Sequence, residues 1–166
     1  MRVVAVVLAA GSSSRLGRPK QEIVFEGETL LVRAVRLARE TCEEVIVVDN
    51  FLNPNAAEGI ASSIRAGVAE APEDARILIL LCDQPRITTD HLRALIDTDA
   101  PIAATGYSGI AGVPAIFAPR FREELLALEG DRGARVVIER HRDQTTVLKF
   151  PAAAIDIDTP DDLQKL

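Results

Sequence analysis

The chain of 166 residues has no tryptophan and one tyrosine, and aromatic residues make up 4% of it. A core without large rings must be built from Val, Ile, Leu and Ala, and stacking on aromatic platforms is not a binding mode this composition favours. Only two cysteines occur, Cys42 and Cys82. Their separation fits neither a zinc site nor a redox pair and gives no disulfide framework, so a reducing, cytoplasmic setting is expected. The two histidines, His91 and His141, stand in no metal-binding pattern and read as structural or solvated. Positive charge is also short: 19 Lys and Arg face 25 Asp and Glu, for a net charge of −6. This argues against general affinity for nucleic acid or anionic membranes, so any anion site must be local. No apolar run approaches the ~18 residues of a membrane span. The opening MRVVAVVLAAG places Arg2 before an apolar stretch, as a secretory leader does. That stretch is short, β-branched and followed by a basic loop, so a buried strand is the expectation.

What is present is aliphatic. Hydrophobic residues reach 48%, enough for a sizeable core in one domain spanning 1–166. The runs VVAVVLAA (3–10), VIVVD (45–49), RILILL (76–81) and PIAAT (101–105) are continuous rather than alternating, as in strands covered on both faces. Between them, residues 29–40, 58–71 and 88–97 carry helical periodicity. Further on, 113–118 and 145–150 read as strands, 119–130 and 131–141 as helices, AAIDID (153–158) as a last strand, and Thr159-Pro160 as the start of a closing helix. The expectation is an α/β fold, a three-layer Rossmann-like, mixed but mainly parallel sheet with helices on both faces. In such sheets ligands bind beyond the carboxyl ends of the strands. Three polar clusters fall there: Gly11 to Lys20, CDQP (82–85) and DID (156–158).

The first cluster, LAAGSSSRLGRPKQ, is neither G-x-x-x-x-G-K-[ST] nor G-x-G-x-x-G. Gly11 and Gly17 still permit positive φ and close backbone approach to a ligand. Arg15 can fork onto two phosphate oxygens and Lys20 offers a compact charge. A solvated turn and an anion-binding loop are both open on these residues alone. Asp83 emerges from a buried strand, which suits a turn acid or helix cap, or equally a magnesium ligand. Asp156 and Asp158 alternate around Ile157, so in a strand both face one way; one could join Asp83 on a metal while the other binds backbone or ribose hydroxyls. Ser62 and Ser63 either cap locally or face a nucleotide. Cys82 reads as a small buried side chain.

Taken in order, LAAGSSSRLGRPKQ, NPNAAEGIASSIRAG, CDQP, GARVVIERH and DIDTPDDL resemble the molybdenum cofactor nucleotidyltransferase family over almost the whole chain, and most of all its cytidylyltransferase branch. The resemblance implies a glycosyltransferase-A-like fold and magnesium-dependent transfer of CMP from CTP to the terminal phosphate of the molybdenum cofactor, with release of pyrophosphate. CTP and that cofactor are then the small-molecule partners, with a downstream molybdoenzyme the sequence does not identify. It further implies that Leu8, Ala9, Ala10, Gly11, Ser12, Ser13, Arg15, Gly17 and Lys20, with Ser62, Ser63 and Asp83, bind nucleotide. Lys20, Arg15 and Asp83 would be catalytic, Asp83 and Asp158 would hold magnesium within about 4–6 Å of each other, and Asp156 would support them. Guanylyl-transferring relatives carry L-A-G-G where this chain has Leu8-Ala9-Ala10-Gly11, which points to CTP. The chain differs from the family in having Cys82 where G-D-x-P has glycine, Val113 where a histidine is usual, and a short connection after residue 49. Another nucleotide or phosphorylated acceptor, or a nucleotide-binding module without transferase activity, are the alternatives.

Overall fold

Val3–Leu8 forms β1 and is buried along its whole length, because alternate residues serve two different cores. Val4, Val6 and Leu8 pack on one face of the sheet; Val3, Ala5 and Val7 pack on the other. This is why the run is continuously apolar instead of alternating. The computed structural model describes residues 1–11 and 16–166. The remaining strands are β2 (Val24–Phe25), β3 (Glu28–Thr29), β4 (Glu44–Val48), β5 (Arg76–Leu81), β6 (Ile102–Tyr107), β7 (Ile110–Phe117) and β8 (Thr145–Lys149). The helices are α1 (Leu30–Thr41), α2 (Ile60–Glu70), α3 (Thr89–Ile96), α4 (Arg122–Leu126) and α5 (Arg135–Arg140).

The main sheet runs β4-β1-β5-β7-β6-β8. β1 pairs in parallel with β4 and β5, and β6 with β8, while β7 is antiparallel to both its neighbours. Helices α2, α4 and α5 cover one face through residues such as Ile64, Leu125 and Val137; α1 and α3 cover the other through Leu37, Leu92 and Leu95. The three-layer, mixed and mainly parallel architecture is the one expected. The chain goes from β1 to β4 on one side and returns to β5 on the other, so the order reverses between β1 and β5, where a crevice opens.

Helix starts follow local chemistry. The Thr29 side chain accepts a hydrogen bond from the Val32 amide (3.1 Å) at the head of α1, and Thr88 does the same for His91 (3.2 Å) at α3. α2 begins instead at Gly59, whose φ of 129° and ψ of 176° suit only glycine. A Cβ there would lie 2.2 Å from the Gly130 carbonyl oxygen, the same oxygen that accepts from the Ala61 amide at 3.1 Å.

Three expectations about elements are corrected. Residues 153–158 do not form a strand: Pro151–Ala154 is a 3-10 turn, and the segment after it leaves the edge of the sheet to run beside the end of β5. The closing helix from Thr159 is 3-10, over Pro160–Lys165, although Thr159 and Asp162 do form a capping box. The helices expected over 119–130 and 131–141 are shorter, because the intervening segment turns through Gly130 at φ 63°. The hairpin of β2 and β3 was not anticipated; its two turn residues, Glu26 and Gly27, both have positive φ, as a tight hairpin turn requires.

Candidate active site

The crevice is built from three chain segments. As β1 ends, the Ala9 amide donates to Val48 O (2.9 Å) and Leu8 O accepts from the Cys82 amide (3.2 Å), so residues 8–10 lie against the ends of both neighbouring strands. The Gly11 amide donates to the Asn50 side chain (2.9 Å), with Gly11 at φ 124° and Gly17 at φ 78°, the positive values expected of this loop. Beyond β5, the Asp83 carbonyl accepts from the Ile157 amide (3.1 Å) and fastens the third segment alongside. Ile157 is fully buried in a small core with Leu16, Ile23, Phe25 and Leu30. Burying that one side chain anchors the two aspartates on either side of it, although no strand is present. The Asp158 and Thr159 amides both donate to the Asp162 carboxylate at 2.9 Å, which holds the turn.

One oxygen of each of Asp83, Asp156 and Asp158 lies within 4.8 Å of the others. Lys20, just after the extended Pro19, inserts its ammonium between two of them. Nζ donates to Asp83 Oδ2 and to Asp158 Oδ1, each at 2.9 Å. Its neighbour Gln21 donates through Nε2 to Ala9 O, tying the lysine segment to the end of β1. Burial opposes the charge on Lys20, but Asp83 and Asp158 outweigh it and hold the ammonium above its usual pKa. Burial raises the Asp83 carboxyl, with Lys20 pulling the other way. Burial, followed by the charges of Asp158 and Asp83, raises Asp156 to about 6. Negative charge is thus concentrated where desolvation makes it costly.

A cavity of about 400 Å³ opens on this cluster. Of the residues expected to bind nucleotide or metal, Leu8, Ala9, Ala10, Lys20, Ser63, Asp83, Asp156 and Asp158 line it. Ser12, Ser13 and Arg15 lie outside the described residues. Gly11 adjoins the cavity through Ala10, whereas Gly17 and Ser62 are not part of its wall. Ser62 is engaged locally: its hydroxyl bonds Gly59 O at 2.7 Å and it accepts from Asn53 Nδ2 at 2.9 Å. Asn53 also donates to Ser63 (2.9 Å), so one buried asparagine braces both serines. Sequence reasoning missed Gln21, Asn50 and Gly59. Gln21 stood inside the quoted loop, and its adjacency to Lys20 was the available signal; Asn50 gave none. Cys82 lines the cavity but is almost fully buried, and burial pushes its thiol up to about 12, which disfavours the reactive thiolate. His91 and His141 are structural, bonded to Thr105 (2.8 Å) and Glu124 (2.6 Å) respectively.

The donor set suits a divalent cation. Carboxylates alone favour a hard ion with oxygen ligands, and Asp83 Oδ1 is buried with no hydrogen-bond partner among the described residues. An acceptor oxygen in that condition is one that a cation, or a proton, would satisfy.

Residues 5–145 match the family described as the MobA-like NTP transferase domain. A nicotine blue oxidoreductase from Paenarthrobacter nicotinovorans is 29% identical, over 83% of this chain and 82% of that protein. A probable molybdenum cofactor guanylyltransferase from Nostoc sp. is 26% identical (97% and 88% covered), and the molybdenum cofactor cytidylyltransferase of Escherichia coli is 24% identical (95% and 91% covered). The crystal structure of Rv0371c from Mycobacterium tuberculosis superposes with a TM-score of 0.84 at 28% identity, covering 99% of this chain and 97% of that one. Its complex with manganese superposes with a TM-score of 0.79 at 27% identity, covering 100% and 98%.

Proposed function

The chain belongs to the MobA-like NTP transferase family, and we propose that it transfers CMP from CTP to the terminal phosphate of the molybdenum cofactor, releasing pyrophosphate. The observation that carries this reading is the convergence of Asp83, Asp156, Asp158 and Lys20 on one cavity walled by the end of β1. Carboxylates beside a lysine suit phosphoryl chemistry. An acceptor phosphate is already a nucleophile, so positioning and charge neutralisation suffice and no Ser or Cys need be activated. The burial of the Cys82 thiol agrees with that.

In this reading the backbone around Leu8 to Gly11, with Arg15 and Ser12–Ser13, cradles base and phosphates. Gln21 keeps the Ala9 carbonyl in place. Asp83 and Asp158, with Asp156 beside them, would hold magnesium, which when bound offsets the charge of the phosphates. Lys20 reaches the bridging oxygen on which charge grows as pyrophosphate leaves. The choice of CTP rests on Ala10, which lines the cavity; in this reading its methyl group takes room that a purine would need. Relatives include both a probable guanylyltransferase and a cytidylyltransferase, so a comparison of nucleotides is the decisive assay.

The test is pyrophosphate release with molybdenum cofactor and magnesium, comparing CTP with GTP, ATP and UTP at matched concentrations. CTP is expected to be the best donor; equal or faster turnover with GTP would remove the argument from Ala10. A second reading, nucleotide binding without transfer, draws on Cys82, which places a side chain in the cavity wall where the family motif has glycine. It predicts tight CTP binding and no pyrophosphate with any nucleotide.

A further inference from the structure

We infer that Lys20 and the divalent cation compete for the same carboxylates, so that metal binding requires the lysine to be handed over to the phosphates of the nucleotide. The inference rests on the reading of this cavity as a metal-dependent nucleotide site.

Three observations point to it. The ammonium is not beside the carboxylates but between them, at 2.9 Å from one oxygen of Asp83 and of Asp158. These two belong to the same three carboxylates whose oxygens cluster within 4.8 Å, the set suited to a hard cation. A magnesium ion ligated at roughly 2.1 Å needs those oxygens turned toward itself, and a second positive charge held among them repels it in a partly desolvated site. Lys20 therefore acts as the counter-ion of the cluster in the nucleotide-free protein. It keeps Asp83 and Asp158 from repelling each other, at the expense of affinity for a bare cation. Lys20–Glu22 is a single 3-10 turn preceded by Pro19, and the Lys20 side chain is about one-fifth exposed, so solvent and a nucleotide phosphate reach it from the open side of the cavity.

The consequence is reciprocal coupling. A triphosphate that draws Lys20 away exposes the carboxylates to the metal, and a metal that seats there frees Lys20 for the phosphates. Each ligand therefore tightens the other. Metal alone should bind poorly, and the lysine should be a hindrance to metal affinity although it serves transfer.

The test measures manganese binding to nucleotide-free protein by the electron paramagnetic resonance signal of the free ion. Wild type, Lys20→Met and Lys20→Arg are compared, with circular dichroism checking the fold. Lys20→Met is expected to bind Mn²⁺ about tenfold tighter than wild type, and Lys20→Arg, which keeps the charge, to stay close to wild type. Unchanged or weaker binding by folded Lys20→Met overturns the inference. A second measurement needs no variant: the rate of Lys20 acetylation by acetic anhydride, followed by mass spectrometry. Saturating Mn²⁺ is expected to raise it severalfold, because the freed ammonium becomes accessible and loses its partners; an unchanged or slower rate overturns the inference, whatever the variants do. Neither readout depends on turnover. A positive result with no pyrophosphate from any nucleotide would leave the exchange standing while contradicting the transferase reading.

Discussion

Two neighbouring cations in the loop after β1 illustrate how differently placed charges of one type behave. Lys20 is ion-paired with two aspartates, whereas Arg18 is exposed. Loss of a preorganised electrostatic donor typically costs about 100- to 1000-fold in rate. Lys20→Ala is therefore expected to lower steady-state turnover by that order, and Arg18→Ala to leave it nearly unchanged; small and equal effects would reduce the segment to a solvated turn. His91 supplies a contrasting, purely structural titration. Thr105 donates to Pro114 O at 2.6 Å, so the Thr105 oxygen accepts from His91 Nε2–H, and the neutral ring is stacked 4.4 Å from Phe150. Burial holds the imidazole below its usual pKa. The unfolded chain then takes up the proton first, so this stabilisation is present above a pH of about 6.5 and fades as pH falls through the lower folded value. Melting temperatures at pH 7.5 and 5.0 should show a larger drop for wild type than for His91→Gln.

At the scale of elements, packing decides what sequence pattern alone leaves open. β1 and β5 were legible because burial on both faces leaves a continuous aliphatic run, and α1 because its apolar residues recur at helical spacing. The segment around Ile157 was misread for an instructive reason. Alternating Asp-Ile-Asp places both carboxylates on one side in any extended chain, so the predicted convergence held although the predicted strand did not. β2 and β3 have two residues each, too few for any periodicity to register. The contact of Lys20 with Asp158 spans 138 positions, and no local spacing could have revealed it. Gly59 gives this scale its test. Alanine there would combine a φ that only glycine adopts freely with a clash against the Gly130 carbonyl. Strain of this kind costs of order 1–3 kcal/mol, and each kcal/mol moves the midpoint of a domain this size by about 2–4 °C. Gly59→Ala should therefore lower the melting temperature by several degrees in differential scanning calorimetry.

For the whole molecule, the sheet's order explains why so few residues suffice for a site. Reversal between β1 and β5 puts the first loop and Asp83 side by side, and the chain's last segment returns to the same rim through Ile157. The rest of the fold holds these three segments in register, and the acidic cluster is where charge is left over. Whether this cluster binds the metal for nucleotidyl transfer is answered by pyrophosphate release from CTP and molybdenum cofactor as magnesium is titrated. The comparison is between wild type and Asp83→Asn, with circular dichroism confirming that the variant is folded. Wild type is expected to release pyrophosphate only with metal, with release abolished by chelation and reduced at least about 100-fold in Asp83→Asn; release that persists without metal, or that the substitution leaves unaffected, would rule out a metal-binding role for the cluster in transfer.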